Sequence, residues 1–286
     1  MGKGRKLREL IDENNVLVAA GCYEAVSGKL VEQVGFGTAY LTGYGSAATV
    51  LGKPDYGFMT MTEMVTHAGN VASAIDIPLI ADADTGYGNP LNVMRTVQEY
   101  EKAGVAAIHI EDQVFPKRCG HMEGKVCIPL EEHVMKIKMA VKTREEMLII
   151  ARTDARAPLG LDEALRRAQA YEGAGADIIF VDAPQSIKEL EKIGQTIKSP
   201  LMLNVTEGGK TPILSAQEYQ QLGFNIIIYP VVTLYSATKA MRGALEHLKE
   251  KGSTAGYLDR MNTFTEFNEM IGLPEVIDLE KKYVMK

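Results

Sequence analysis

Eight short apolar runs, recurring at intervals of roughly 20–40 residues, constrain this 286-residue chain more than any other feature. They are Val16–Ala20, Thr38–Thr42, Pro78–Asp82, Ala106–Ile110, Met147–Ala151, Asp177–Val181, Pro200–Asn204 and Asn225–Tyr229. Several are nearly unbroken Ile, Leu, Val and Ala, as in LIIA (148–151) and IIIY (226–229). A strand buried on both faces has this character, because neither side of its pleat meets water. The runs therefore predict strands of a parallel sheet.

Between them lie stretches with helical spacing: Ala25–Val34, Thr62–Ala74, Leu91–Ala103, Leu130–Val141, Asp162–Ala174, Ile187–Ile197 and Ala216–Leu222. Asn89-Pro90 marks one helix start, and Gly104 and Gly175 mark helix ends. The tetrapeptides AGVA (103–106) and AGAD (174–177) each join a helix to the next strand. Strand and helix alternating eightfold implies right-handed βαβ units. Eight of them within about 230 residues fit a (β/α)₈ TIM barrel better than an open doubly wound sheet. A helix is predicted over about Val232–Glu250, followed by a Gly-Ser-Thr-Ala-Gly break and a C-terminal segment, Tyr257–Met270. That segment is apolar at Tyr257, Leu258, Met261, Phe264 and Phe267, so it needs a surface to cover, on its own barrel or on a neighbouring subunit. The expectation is one barrel domain spanning 1–286, with C-terminal helices from about 251 to 286.

The net charge of −6 argues against general affinity for nucleic acid or an anionic membrane surface. No run approaches the ~20 apolar residues of a membrane span, and MGKGRKLREL lacks the apolar core of a signal peptide. Three cysteines without framework spacing (Cys22, Cys119 and Cys127) suit a reducing cytoplasm. The predicted partner is a small molecule, and the predicted location is the cytoplasm.

In a barrel of this kind, chemistry belongs just past the C-terminal ends of the strands. Polar residues gather there: Tyr40 to Gly45, Asp82-Ala83-Asp84, His109 to Asp112, Arg152 to Asp154, Asp182, and Asn204 to Glu207. Asp82 and Asp84 alternate about Ala83 and so share one side of an extended segment. With Glu111 or Asp112 from the next strand they form an acidic group that repels itself unless a cation intervenes. Hard oxygen donors without Cys or His suit Mg²⁺ or Mn²⁺ rather than Zn²⁺. An Asx turn at Asp84-Thr85-Gly86 is the plainer alternative. The segment Lys117-Arg118-Cys119-Gly120-His121 puts cations beside a thiol, an arrangement that favours thiolate chemistry. It lies in a connection, about Val114–Pro129, longer than a usual βα loop. Gly43-Tyr44-Gly45-Ser46 offers backbone N–H groups to an anion.

The segments ADADTGYGNP (81–90), IHIEDQ (108–113), KRCGH (117–121), ARTDAR (151–156), EGGKTP (207–212) and GFNIIIYP (223–230) together resemble the isocitrate lyase/phosphoenolpyruvate mutase superfamily. The resemblance runs over nearly the whole chain. It implies a (β/α)₈ barrel, a homotetramer with its C-terminal helices exchanged between subunits, and Mg²⁺ at Asp82, Asp84 and Glu111, partly through water. A KRCGH loop is similar to that of the carbon–carbon lyase branch, with Cys119 as catalytic acid. By the same resemblance Tyr40, Asp55, His121 and Arg152 are catalytic, and Thr42, Gly43, Tyr44, Lys117, Gly120, Asp182, Asn204 and Thr206 bind substrate. Asp182 stands where methylisocitrate lyases usually carry Glu, and Tyr235 where they tend to carry an Arg for a third carboxylate. An unmatched buried charge is costly, so a dicarboxylate is expected, such as 2,3-dimethylmalate or a related 2-alkylmalate. The alternatives are 2-methylisocitrate cleavage and oxaloacetate hydrolysis. The implied reaction is a retro-Claisen-type cleavage to pyruvate and a short acid, with Tyr40, Asp55 or a metal-bound water as base.

Overall fold

The computed structural model describes residues 2–13, 15–120, 122 and 124–284. It packs as two compact units, residues 1–233 and 234–286. In the first, eight strands close into a barrel: β1 Leu17–Cys22, β2 Ala39–Leu41, β3 Leu79–Asp82, β4 Ala107–Glu111, β5 Leu148–Thr153, β6 Ile178–Val181, β7 Leu201–Asn204 and β8 Ile226–Tyr229. Every neighbouring pair is parallel, and β1 closes on β8 through the register Leu17↔Ile226 to Ala20↔Tyr229. All eight predicted runs became strands, displaced by a residue or two at their ends. This is a (β/α)₈ TIM barrel followed by C-terminal helices.

The pleat sorts each strand's side chains into two layers. On β5, Ile149 and Ala151 join the shell between sheet and helices, whereas Leu148 and Ile150 fill the barrel interior with Ala19, Ile80, Ala107, Ile178, Phe180, Met202, Ile226 and Ile228. Further along the same inward rows come Asp82, His109, Glu111, Arg152 and Asn204. The interior thus turns from apolar to ionic at its C-terminal end, and that switch builds the site.

A helix absent from the sequence expectation, Lys3–Asp12, belongs to the interior cluster through Leu7 and Ile11. Lys3 Nζ also donates to Ala72 O and Ile75 O, both at 2.6 Å, capping the carbonyl end of the helix Met61–Ala74. Its charged sequence KGRKLRELID hides a two-residue apolar stripe at i, i+4. In the 234–286 unit, helices Phe264–Met270 and Leu273–Tyr283 follow a 3₁₀ turn at Leu258–Arg260. Among the described residues no helix is long and apolar enough to cross a membrane. Leu7 is fully buried, so Leu7→Ala should lower unfolding free energy by about 2–5 kcal/mol in urea denaturation. A smaller loss would mean that the barrel floor is sealed without this helix.

Candidate active site

β3 delivers Asp82 inward, and Asp82 Oδ1 accepts the Asp84 backbone N–H at 2.8 Å. Asp84 itself has φ 46, a left-handed conformation that turns its carboxylate back toward the barrel axis. Opposite it, the backbone at Gly43 comes so close that a Cβ there would lie 2.3 Å from Asp82 Oδ2. On β4 the pleat resolves the choice between the two acids. Glu111 follows Ala107 and His109 into the barrel. Asp112 faces the helical shell, where it accepts from Asp154 N (2.9 Å), Thr153 Oγ1 (2.8 Å), Tyr171 OH (2.8 Å) and Arg167 Nη1 (3.0 Å). Asp112 is thereby saturated by structural donors, and Glu111 belongs to the cluster.

Two cationic groups organise the mouth. Lys117, 2% exposed, places Nζ 2.7 Å from Asp55 Oδ1 and 2.9 Å from Asp84 Oδ1. Arg152 forms a paired contact with Asp154 (Nε–Oδ2 2.8 Å, Nη2–Oδ1 3.0 Å) and reaches Glu111 and Asp182 at 3.4 and 3.5 Å. Its guanidinium lies over the Phe180 ring, 5.0 Å from the centroid. Lys125 joins them, with Nζ 2.8 Å from Asp154 and 3.2 Å from Asp182.

Acids still outnumber bases: Asp55, Asp82, Asp84, Glu111, Asp154 and Asp182 face Lys117, Lys125 and Arg152. Burial pushes Glu111 well above the usual carboxylate range, and it pushes Asp84 up to about 6, helped by Asp82 and Asp55 against the pull of Lys117. Asp154 goes the other way: burial would raise it, but Arg152 and Lys125 hold it far below its ordinary value. Glu111 Oε2 is buried without a hydrogen-bond partner. A hard divalent cation would relieve this excess. Among the described residues no three His, Cys, Asp or Glu side chains converge as direct metal ligands.

The Tyr40 hydroxyl lies 2.8 Å from His109 Nε2, with the rings stacked 5.8 Å apart. Burial lowers His109 to about 4, so the imidazole is neutral at pH 7. Burial, reinforced by Asp82, holds the Tyr40 hydroxyl well above 10, so at neutral pH it is a phenol and not a ready base. Thr206 Oγ1 donates to Asn204 Oδ1 at 3.1 Å. Thr42 N–H donates to Cys22 O at 3.2 Å, and its hydroxyl accepts from Gly45 N. The 43–46 segment is a short helix, Gly43–Ser46, rather than a turn, with Tyr44 in its only turn.

The cysteine-bearing loop is pinned at its base by an antiparallel bridge, Gln113↔Cys127, with Val114 N donating to Val126 O at 2.8 Å. Gly120 sits directly on the ion cluster, where a Cβ would lie 2.3 Å from Asp182 Oδ2 and 2.5 Å from Arg152 Nη2. Cys119 is half-buried in this loop; Cys22 is buried, which pushes its thiol up to about 12. His121 lies outside the described residues. Sequence reasoning assigned no site role to His109, Gln113, Lys125 or Asp154. Period-two alternation with Glu111 points to His109, but a lone lysine in a glycine-containing loop gives Lys125 no signal.

The chain matches the model of the phosphoenolpyruvate phosphomutase family over residues 7–249. It is 50% identical to 2,3-dimethylmalate lyase of Eubacterium barkeri over 99% of both chains, and 44% identical to 2-methylisocitrate lyase of Aeropyrum pernix over 94% of this chain and 87% of that one. A crystal structure of a 2,3-dimethylmalate lyase superposes with a TM-score of 0.94 at 37% identity, covering 99% and 96% of the two chains. A phosphonopyruvate hydrolase complex with oxalate and Mg²⁺ superposes at 0.90 and 31% identity over 100% of each. The chain belongs to the phosphoenolpyruvate mutase/isocitrate lyase superfamily. Within it, kinship over the full length makes this protein a carbon–carbon lyase. Because Gly120 leaves no room for a side chain, Gly120→Ala should cut turnover by roughly tenfold or more. Full activity would place the loop elsewhere during catalysis.

Proposed function

We propose that the protein cleaves a 2-hydroxy dicarboxylate, 2,3-dimethylmalate or a related 2-alkylmalate, to a 2-oxo acid (pyruvate where the 2-alkyl group is methyl) and a short carboxylic acid. The observation that carries this reading is the packing of the Cys119-bearing loop, through Gly120, onto Arg152 and Asp182. It brings the loop that carries Cys119 up against the Arg152 guanidinium.

Asp82, Asp84 and Glu111 would hold Mg²⁺ (Mn²⁺ is an alternative), in part through water. When bound, the ion supplies positive charge for the oxo-acid half of the substrate. Arg152 and the backbone at Gly43 and Tyr44 bind the carboxylate of that half. Loss of the 2-hydroxyl proton turns C2–O into a carbonyl and breaks C2–C3. The bonding pair passes to the departing fragment as an enediolate. Asn204, Thr206 and His121 hydrogen-bond that fragment, and the Cys119 thiol protonates its α-carbon. Burial keeps Tyr40 a phenol, which leaves Asp55, held by Lys117, as the side chain that accepts the hydroxyl proton. Asp182 shapes the far end of the pocket, together with Lys125.

The exposed apolar residues of the C-terminal unit, Leu245, Leu258, Phe264 and Phe267 among them, support a homotetramer in which this segment covers a neighbouring subunit. Light scattering should then give a mass near four times 31.3 kDa; a monomer would refute the assembly.

Cys119→Ser should reduce turnover by about 100-fold or more with Mg²⁺ affinity nearly unchanged, and undiminished turnover would remove the thiol from the mechanism. A coupled assay for 2-oxo-acid release with Mg²⁺ should rank 2,3-dimethylmalate and other 2-alkylmalates above 2-methylisocitrate. Oxalate and acetate from oxaloacetate, without pyruvate release, would replace the lyase reading with a hydrolase.

A further inference from the structure

The segment Lys117–Gly120 has no regular secondary structure to hold it, yet Lys117 and Gly120 are buried against the ion cluster. Two side chains outside that segment fasten it. The Gln113 carboxamide, 1% exposed, uses its NH₂ group twice, donating to Arg118 O at 2.8 Å and to Glu111 Oε1 at 2.9 Å. Its oxygen accepts Arg118 N–H at 3.0 Å. The amide therefore reads the Arg118 peptide on both sides, as a strand partner would, and ties it to an acid inside the barrel. Lys125, 4% exposed, fastens the other end. Its ammonium donates to Gly120 O as well as to Asp154 and Asp182, so its three protons meet three acceptors.

We infer that Gln113 and Lys125 are positioning residues, which hold the Lys117–Gly120 segment in register with Glu111 and with the Arg152–Asp154–Asp182 network. The inference builds on the lyase reading, because the segment so placed carries Cys119. Gln113 suits the task chemically. Only a carboxamide offers two donors and an acceptor without charge. Glutamate there would oppose Glu111, and a shorter Asn would not span from strand end to loop. An error of an ångström in the segment moves the thiol relative to its target, and such errors are expensive in catalysis.

The test is Gln113→Met, similar in length but without the hydrogen bonds. Arg118 is exposed, so its freed peptide groups can turn to water, and the fold should survive with a parent-like melting temperature. Trypsin should then cut after Lys117 or Arg118 about tenfold faster or more, and kcat should fall by at least about tenfold. Lys125→Met should do the same, with Lys125→Arg recovering part of both losses. Should Gln113→Met not fold, Gln113→Asn carries the same comparison. A folded Gln113 variant cut at the parent's rate overturns the inference, and so does faster cutting with unchanged kcat. Proteolysis needs no substrate. A parent enzyme inactive on every acid tested would therefore count against the lyase reading alone, and the cutting rates would still judge the positioning role.

Discussion

Arg152 is the cation on which the barrel mouth depends. It sits at the inward end of β5, below 10% exposure, stacked over Phe180 and gripped by Asp154, with Glu111 and Asp182 within 3.5 Å. A guanidinium buried so deeply is tolerable only because these acids surround it. The acids are tolerable in turn because Arg152, Lys125 and Lys117 stand among them. The network is still short of positive charge, and Glu111 shows the deficit as a buried oxygen without a hydrogen bond and a raised pKa. A site in this condition fits the proposed binding of a cation together with an anionic substrate.

The loops complete that balance. Lys117 comes from the connection after β4 and bridges Asp55, which follows β2, and Asp84, which follows β3. One ammonium thus joins three strand ends. Gly43 and Gly120 are glycines because a side chain at either would strike a site carboxylate. The ion network also explains why the cysteine-bearing segment can be irregular and still buried. Its backbone is bonded to side chains, Gln113 and Lys125, instead of to a ladder.

Much of this was legible from residue pattern. The apolar runs announced the strands because burial on both faces leaves no room for polar alternation. Asp82, Asp84, Arg152, Asp182 and Asn204 were found as polar residues ending such runs. The helix Lys3–Asp12 was not found, since its apolar content is only Leu7, Leu10 and Ile11 among charged residues. Lys125 and Gln113 were not assigned either, because their partners lie on elements remote in sequence or in a loop without periodicity.

The sequence by itself determined the alternation of strand and helix, the acidic strand ends and the cysteine loop, all of which are local signals of period, punctuation or composition. Tertiary structure supplied the physical reason why Glu111 of the Glu111-Asp112 pair, which the resemblance had singled out, faces the barrel. That reason is the pleat, together with the four donors that claim Asp112 in the helical shell. Tertiary structure alone decided that the Thr42 N–H is occupied, that Tyr40 stays a phenol, and that Gln113 and Lys125 fasten the loop. Each of these depends on distance and desolvation between residues far apart in the chain, and no linear pattern encodes them.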